Sequence, residues 1–252
     1  MEEPENHAQP EFVWPKVNTL APGAVRRWLV AGWADLAAAP AASLFYGVVL
    51  AAMGFLLTRF FAGAVGIALT TGFLLVGPFI CIGLYAISRQ RESGQRVRLA
   101  PTLIAWRENA PAVGFYALVL TLLLAVWIRV SVVIVAMFFP NGQINWALPE
   151  AWMFAAAYAV ALSGLALFVF ATTSLSLPLL LDRRDMDAIT AAIVSFNALR
   201  TNFVPMLTWA ASIVLFAGLG FATYCAGLVI AVPLIGHMTW HAYRESIAPL
   251  GR

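Results

Sequence analysis

The sequence predicts an all-α membrane protein: a polytopic bundle of about six transmembrane helices, arranged as three hairpins that are each preceded by an amphipathic in-plane helix. Of its 252 residues, 62% are apolar and 11% are charged, and the mean hydropathy is +0.85. A soluble domain carries roughly 25% charged residues to cover its surface. Long apolar runs also follow one another nearly end to end, with arginines clustered at alternate turns. We therefore expect the chain to fold in lipid.

Six apolar runs define the predicted spans, because a helix needs about 20 apolar residues to cross the hydrocarbon core. The last two come from one run, residues 203–235, and a single helix of that length would be about 50 Å long. One span needs only about 30 Å, so we expect a hairpin that turns near residues 218–220. The predicted spans are about 41–58, 61–87, 112–139, 151–181, 203–218 and 220–240.

The positions of the basic residues predict the orientation. With six spans, Arg59 lies at an opposite turn and Arg129 lies within a span, while all the others fall on one side. By the positive-inside rule that side is cytoplasmic, which places both termini in the cytoplasm. A five-span alternative would put Arg244 and Arg252 outside and fits less well. The basic residues on the common side are Lys16, Arg26, Arg27, Arg89, Arg91, Arg96, Arg98, Arg107, Arg183, Arg184, Arg200, Arg244 and Arg252.

Three amphipathic segments lie between the spans, at residues 22–36, 101–109 and 187–200. Such helices typically lie in the headgroup plane with their apolar face towards the lipid. Asp187 is a candidate cap for the third. In the first, the apolar stripe contains Val25, Trp28, Leu29, Gly32 and Leu36, while Arg26, Arg27 and Asp35 lie off it.

The domain organisation follows from the same patterns. Residues 1–20 are acidic and contain prolines, without the charge pattern of a signal peptide, and they predict a disordered cytoplasmic tail. Residues 21–247 form a single membrane domain, and residues 248–252 form a short tail.

A set of distinctive sequence elements lies at residues 28–36, 43–47, 77–78, 83–89, 178–183 and 233–244. Together these elements resemble a proteobacterial family of predicted integral membrane proteins classed as a domain of unknown function. The resemblance covers about residues 20–247, and some members carry a cytochrome c oxidase subunit label. It implies an inner-membrane location and supplies no catalytic residues. Three histidines are too few for a haem–copper core, which leaves an accessory or assembly role near such a complex.

His237 and His241 lie four residues apart, on one face of the last predicted helix. Two imidazoles at that spacing can bind copper or zinc, and one can ligate haem. Met238, Tyr243 and Asp182 are the candidate further ligands. The alternative is an interfacial helix end, where His, Trp and Tyr side chains are common.

Arg129 is the strongly charged residue inside a predicted span. A membrane-embedded arginine costs at least about 2.5 kcal/mol and is often functional. One interpretation has Arg129 facing the bundle and lining a path for an anion, in a transporter or channel. The other has its side chain reach outward to the interface.

The sequence contains no complete catalytic, cofactor or nucleotide motif. We therefore expect a non-enzymatic scaffold, accessory or assembly component, with no cofactor unless haem or a metal binds at His237 and His241. The expected partners are the lipid bilayer and a membrane-protein complex such as a respiratory complex. The net charge of +3 is too mild and scattered to indicate nucleic-acid binding. A lipid-acting enzyme built on residues 182–187 and the two histidines is a weaker alternative.

Overall fold

The computed structural model describes residues 14–61, 63–141 and 144–248. These residues form ten α-helices and one 3-10 helix, and no β-strand. The α-helices are α1 (Ala24–Ala38), α2 (Pro40–Phe60), α3 (Gly63–Glu92), α4 (Leu99–Leu103), α5 (Ala110–Phe138), α6 (Glu150–Thr173), α7 (Ser176–Asp182), α8 (Ala188–Thr201), α9 (Phe203–Ala222) and α10 (Leu228–Ser246); the 3-10 helix is Ala105–Asn109.

The described chain contains five helical segments that are long and apolar enough to cross a membrane. They correspond to the first five predicted spans, and the all-α polytopic bundle is confirmed. The segments are Pro40–Phe60, Gly63–Glu92, Ala105–Phe138, Glu150–Asp182 and Phe203–Ala222.

Helix α10, which contains most of the sixth predicted span, is not one of these five segments. It nevertheless runs back beside α9, because Asn202 at the start of α9 and Ser246 at the end of α10 both bind Asn18. Its surface packs against α1, α2, α3 and α9, and most of its residues are buried. A helix enclosed by other helices does not need an apolar exterior, and this enclosure explains how α10 can carry histidines.

The turn between α9 and α10 differs from the predicted one. Residues 218–220 lie inside α9, and the chain turns after Ala222, where Tyr224 and Cys225 adopt positive φ angles of 53° and 70°. Gly220 is not part of the turn. A Cβ at this position would overlap the side chain of Leu228. The glycine permits close packing of the two helices.

The three amphipathic segments precede the three hairpins as α1, α4 with the 3-10 helix, and α8. Asp187 caps α8 as predicted, accepting hydrogen bonds from the backbone N–H groups of Ile189 and Thr190 at 2.8 and 2.9 Å. The predicted stripe of α1 needs correction. Leu29 is 36% exposed, whereas Asp35, predicted to lie off the stripe, is 5% exposed. The buried face of α1 packs against α10, whose polar side chains determine which α1 residues are buried.

Part of the predicted disordered tail is packed against the bundle. Asn18 N–H donates to the Ser246 carbonyl over 2.8 Å, and Ala248 N–H donates to the Lys16 carbonyl over 2.9 Å. The backbone of Leu20 donates to Asn202 Oδ1 over 2.7 Å. The two ends of the described chain therefore meet at the same end of the bundle. Residues 1–13 and 249–252 lie outside the described residues.

Candidate functional site

Four helices bring polar side chains together at this end of the bundle. Asp35 lies near the end of α1, Ser43 in the first turn of α2, Ser88 near the end of α3, and His237 and His241 on α10. His237 and Ser43 are completely buried, and Ser88 is 2% exposed. Residues four apart lie on the same helical face, which explains why both histidines point towards Asp35.

The hydrogen bonds of this cluster fix the imidazole tautomer of His237. Ser88 Oγ donates to Asp35 Oδ2, because an ionised carboxylate can only accept. Its hydroxyl proton is thereby used, so Ser88 Oγ accepts from His237 Nδ1–H over 2.8 Å. In the neutral imidazole the other nitrogen is then an acceptor, and Ser43 Oγ–H donates to His237 Nε2 over 2.9 Å. A continuous chain runs from Ser43 through His237 and Ser88 to Asp35.

Asp35 is the anionic end of this chain. Its Oδ2 also accepts from His241 Nε2 over 2.9 Å, and its Oδ1 pairs with Arg91. Burial would raise the pKa of Asp35, but the hydrogen bonds from His241 and Ser88 and the electrostatic attraction of His241 outweigh it, so the pKa lies below its ordinary value of 3.8. Asp35 is therefore a carboxylate at neutral pH, with donors on both oxygens.

A second layer of ion pairs surrounds the cluster. Arg244 on α10 binds Glu92 of α3 at 2.9 Å and Asp182 of α7 at 3.2 Å. Tyr243 Oη donates to Asp182 over 2.6 Å, and Trp240 Nε1 donates to Glu92 over 3.0 Å. These contacts connect α10 to the last residues of α3 and α7.

A third group joins the segment before α5 to α3 and α7. Glu108 binds Arg89, and its other oxygen binds Arg184 at 2.9 Å. Arg89 also donates to the Leu181 carbonyl over 2.6 Å. The arginine-rich end of the bundle, defined by Arg89, Arg91, Arg184 and Arg244, is thus a network of interhelical contacts.

The predicted metal or haem ligands are only partly brought together. His237 and His241 share Asp35, but Asp182 and Tyr243 bind each other instead, and Met238 packs against Gly32. Within the described part of the chain, no group of three or more His, Cys, Asp or Glu side chains is arranged to hold a metal ion. Both nitrogens of His237 are hydrogen-bonded to serines. Metal or haem binding at His237 and His241 stays a prediction.

Arg129 lies on the outer surface of the bundle. Its side chain is exposed, whereas the neighbouring Trp127 is 2% exposed and faces inward. Inside the bundle, the buried Ser131 and Tyr158 bind each other at 3.0 Å. Both interpretations of Arg129 stay predictions.

Sequence reasoning missed Asp35, Ser43 and Ser88. One signal was available for Asp35, since it follows Trp28 and Gly32 at intervals of seven and three residues, which places it on their face. Ser43 and Ser88 carry no such signal. Single serines in apolar helices are common packing residues, and only the approach of α10 gives these two a histidine partner.

Fold and site together define a polytopic helical integral membrane protein with a buried polar cluster at one end. Over residues 66–182 the chain matches the family described as predicted integral membrane protein (DUF2189), which confirms the resemblance to a domain of unknown function in that region. The match contains Ser88 and Arg91, while Asp35, Ser43 and both α10 histidines lie outside it. No curated protein and no solved structure matches the chain.

Proposed function

We propose that the protein is a non-enzymatic structural component of a bacterial inner membrane, acting as a scaffold, accessory subunit or assembly factor for a membrane-protein complex. The observation that carries the proposal is that the chemically active side chains of the cluster form hydrogen bonds with one another. Asp35, Ser43, Ser88 and His237 bind one another and are almost completely buried. Such an arrangement holds four helices in place and leaves no reactive atom for a substrate.

The surrounding ion pairs support a rigid frame. Arg27 of α1 pairs with Glu245 of α10, and Trp28 donates to the other oxygen of that carboxylate over 2.7 Å. Exposed ion pairs stabilise weakly when isolated, but networks that join several helices hold them in a fixed arrangement. A rigid polar end is suited to carrying partner proteins.

The placement of Arg129 favours this structural role over transport. An anion path would need the guanidinium inside the bundle, and the side chain is exposed on its surface. A mostly apolar cavity lies among α3, α6, α9 and α10, and Arg129 is not one of its lining residues. Outward reach of the guanidinium to the headgroups accounts for its presence in a span.

Orientation belongs to the same proposal. The arginine-rich end carries both ends of the described chain, and arginine-rich ends face the cytoplasm. A reporter fused after Arg252 is expected to be cytoplasmic, as is one fused before Met1. An extracytoplasmic reporter at either end would contradict the proposed orientation.

The functional test is a deletion strain analysed by native gel electrophoresis and quantitative proteomics of its membranes. We expect a defined membrane complex to lose abundance or subunits and to be restored by the full-length chain. Folded His241→Gln and Arg129→Gln variants should restore it equally well. Unchanged complexes would overturn the proposal, and failure of a folded His241→Gln variant would favour a metal or catalytic role. Failure of Arg129→Gln alone, with altered anion flux in liposomes, would favour transport.

A further inference from the structure

An elongated cavity of about 560 Å³ lies among α3, α6, α9 and α10, apart from the polar cluster. Its lining follows α3 from Thr71 to Tyr85 and α9 from Leu207 to Phe221. Each of these stretches is about 21 Å long at a rise of 1.5 Å per residue. The volume is in the range of pockets that hold small ligands, while the shape is that of a channel along the helices.

The cavity opens sideways between α6 and α9. Ala166 and Leu167 of α6 and Ala211 and Val214 of α9 line it and are exposed. All four belong to candidate membrane spans. The opening therefore faces the hydrocarbon region of the bilayer.

The polar side chains in the lining are mostly used within the protein. Thr71, Thr173 and Thr239 donate to carbonyls one turn earlier on their own helices, at 2.7, 2.8 and 2.7 Å. Trp209 differs, because its buried indole Nε1 has no hydrogen-bond partner within the described residues. Because that nitrogen is itself fully buried, it is not open to the cavity. The cavity thus offers a long and almost entirely apolar wall.

We propose that this cavity binds one hydrocarbon chain of a membrane phospholipid, which enters between α6 and α9. Water is a poor occupant, because a buried water needs two to four polar partners. An empty cavity would deprive the lining of dispersion contacts. One leaflet of the hydrocarbon core is about 15 Å thick, so the cavity is long enough for a chain of that leaflet.

The experiment uses the full-length protein in vesicles of phosphatidylethanolamine and phosphatidylglycerol that contain a phospholipid with a diazirine on one acyl chain. Illumination is followed by mass spectrometry of labelled peptides. The variants Ala166→Trp, at the mouth, and Ala210→Trp, inside the lining, fill the cavity. Ala125→Trp is the matched control, since Ala125 is exposed on α5 and does not line it. Melting temperatures verify that every variant is folded.

We expect labels on residues 162–174 and 207–221, lost in folded Ala166→Trp and Ala210→Trp and unchanged in Ala125→Trp. Native mass spectrometry of the purified chain should show a retained phospholipid that disappears in the same two variants. Labels spread evenly over the outer faces, or unaffected by Ala166→Trp, would overturn the proposal. Retention of an isoprenoid in place of a phospholipid would overturn the assignment of the occupant. Neither result depends on whether the protein is a scaffold.

Discussion

Ser88 Oγ lies 2.8 Å from His237 Nδ1 and donates its own proton to Asp35. The serine is therefore the link between a buried imidazole and a buried carboxylate. The distance between His237 Nδ1 and Asp35 Oδ2 is 3.9 Å. Because this hydroxyl donates one hydrogen bond and accepts one, it fixes the donor and the acceptor in the hydrogen bonds of His237. Helices α1, α3 and α10 are joined by this single group.

Replacing Ser88 by alanine tests that link. The imidazole N–H of His237 would lose its acceptor while buried, and an unsatisfied buried polar group costs about 1–3 kcal/mol. We expect the free energy of unfolding of Ser88→Ala to fall by about that amount, measured by thermal unfolding in detergent micelles. Ser93→Ala is the control, because Ser93 is exposed and donates only to the carbonyl of Arg89. Equal effects of the two substitutions would contradict the link.

Asp35→Asn tests the anionic end of the chain. The substitution leaves Arg91 without its carboxylate partner and removes an acceptor of His241, and we expect a loss of about 2 kcal/mol in unfolding free energy. Asp185→Asn is the matched control, since Asp185 is exposed at the same end of the bundle. A loss no larger than that of the control would show that Asp35 does not hold the helices.

The pKa of Asp35 also predicts how the stability difference between the native chain and Asp35→Asn depends on pH. Its folded pKa lies below the ordinary value of 3.8, so its stabilisation is present above that value and is lost as the pH falls through the folded pKa. The difference in melting temperature between the native chain and Asp35→Asn should be constant near neutral pH and should shrink below pH 3.8. A difference that shrinks already near neutral pH would indicate a raised pKa instead.

Metal and haem content tests the role of the α10 histidines. Both nitrogens of His237 already bind serines. The proposed structural role therefore predicts no stoichiometric copper, zinc or haem in protein purified without chelators, whereas the metal-site interpretation predicts one of them. We would compare the metal content by elemental analysis, and the haem content by absorbance spectra, of the native chain, His237→Ala and His241→Ala. Metal or haem in the native chain that is lost in both variants would establish the predicted site and would overturn the purely structural interpretation.

Helices were predictable from this sequence because their cause is local, whereas the site depends on contacts between distant segments. Run length and proline position are enough to place α2 and α5. The burial of Asp35 depends on α10, which follows about 200 residues later. An apolar stripe leaves Asp35 out because its side chain is charged, although its spacing from Trp28 and Gly32 puts it on the same face of α1. Gly220 shows a similar limit, since a glycine indicates a turn or a close approach equally well, and only the position of Leu228 distinguishes them.

Two glycines provide a final test of how closely α10 is enclosed. A Cβ on Gly47 would overlap the backbone carbonyl of Val229, so α2 and α10 touch through their main chains, whereas a Cβ on Gly164 of α6 would meet nothing within 4 Å. Overpacking a core typically costs about 1–3 kcal/mol, and backbone is less able to move than a side chain. Alanine in an open helical position instead stabilises by roughly 0.5–1 kcal/mol relative to glycine. We therefore expect Gly47→Ala to lower the melting temperature and Gly164→Ala to leave it unchanged or raise it. If Gly47→Ala were as stable as Gly164→Ala, α10 would lie farther from α2, and the serine contact that orients His237 would be lost with it.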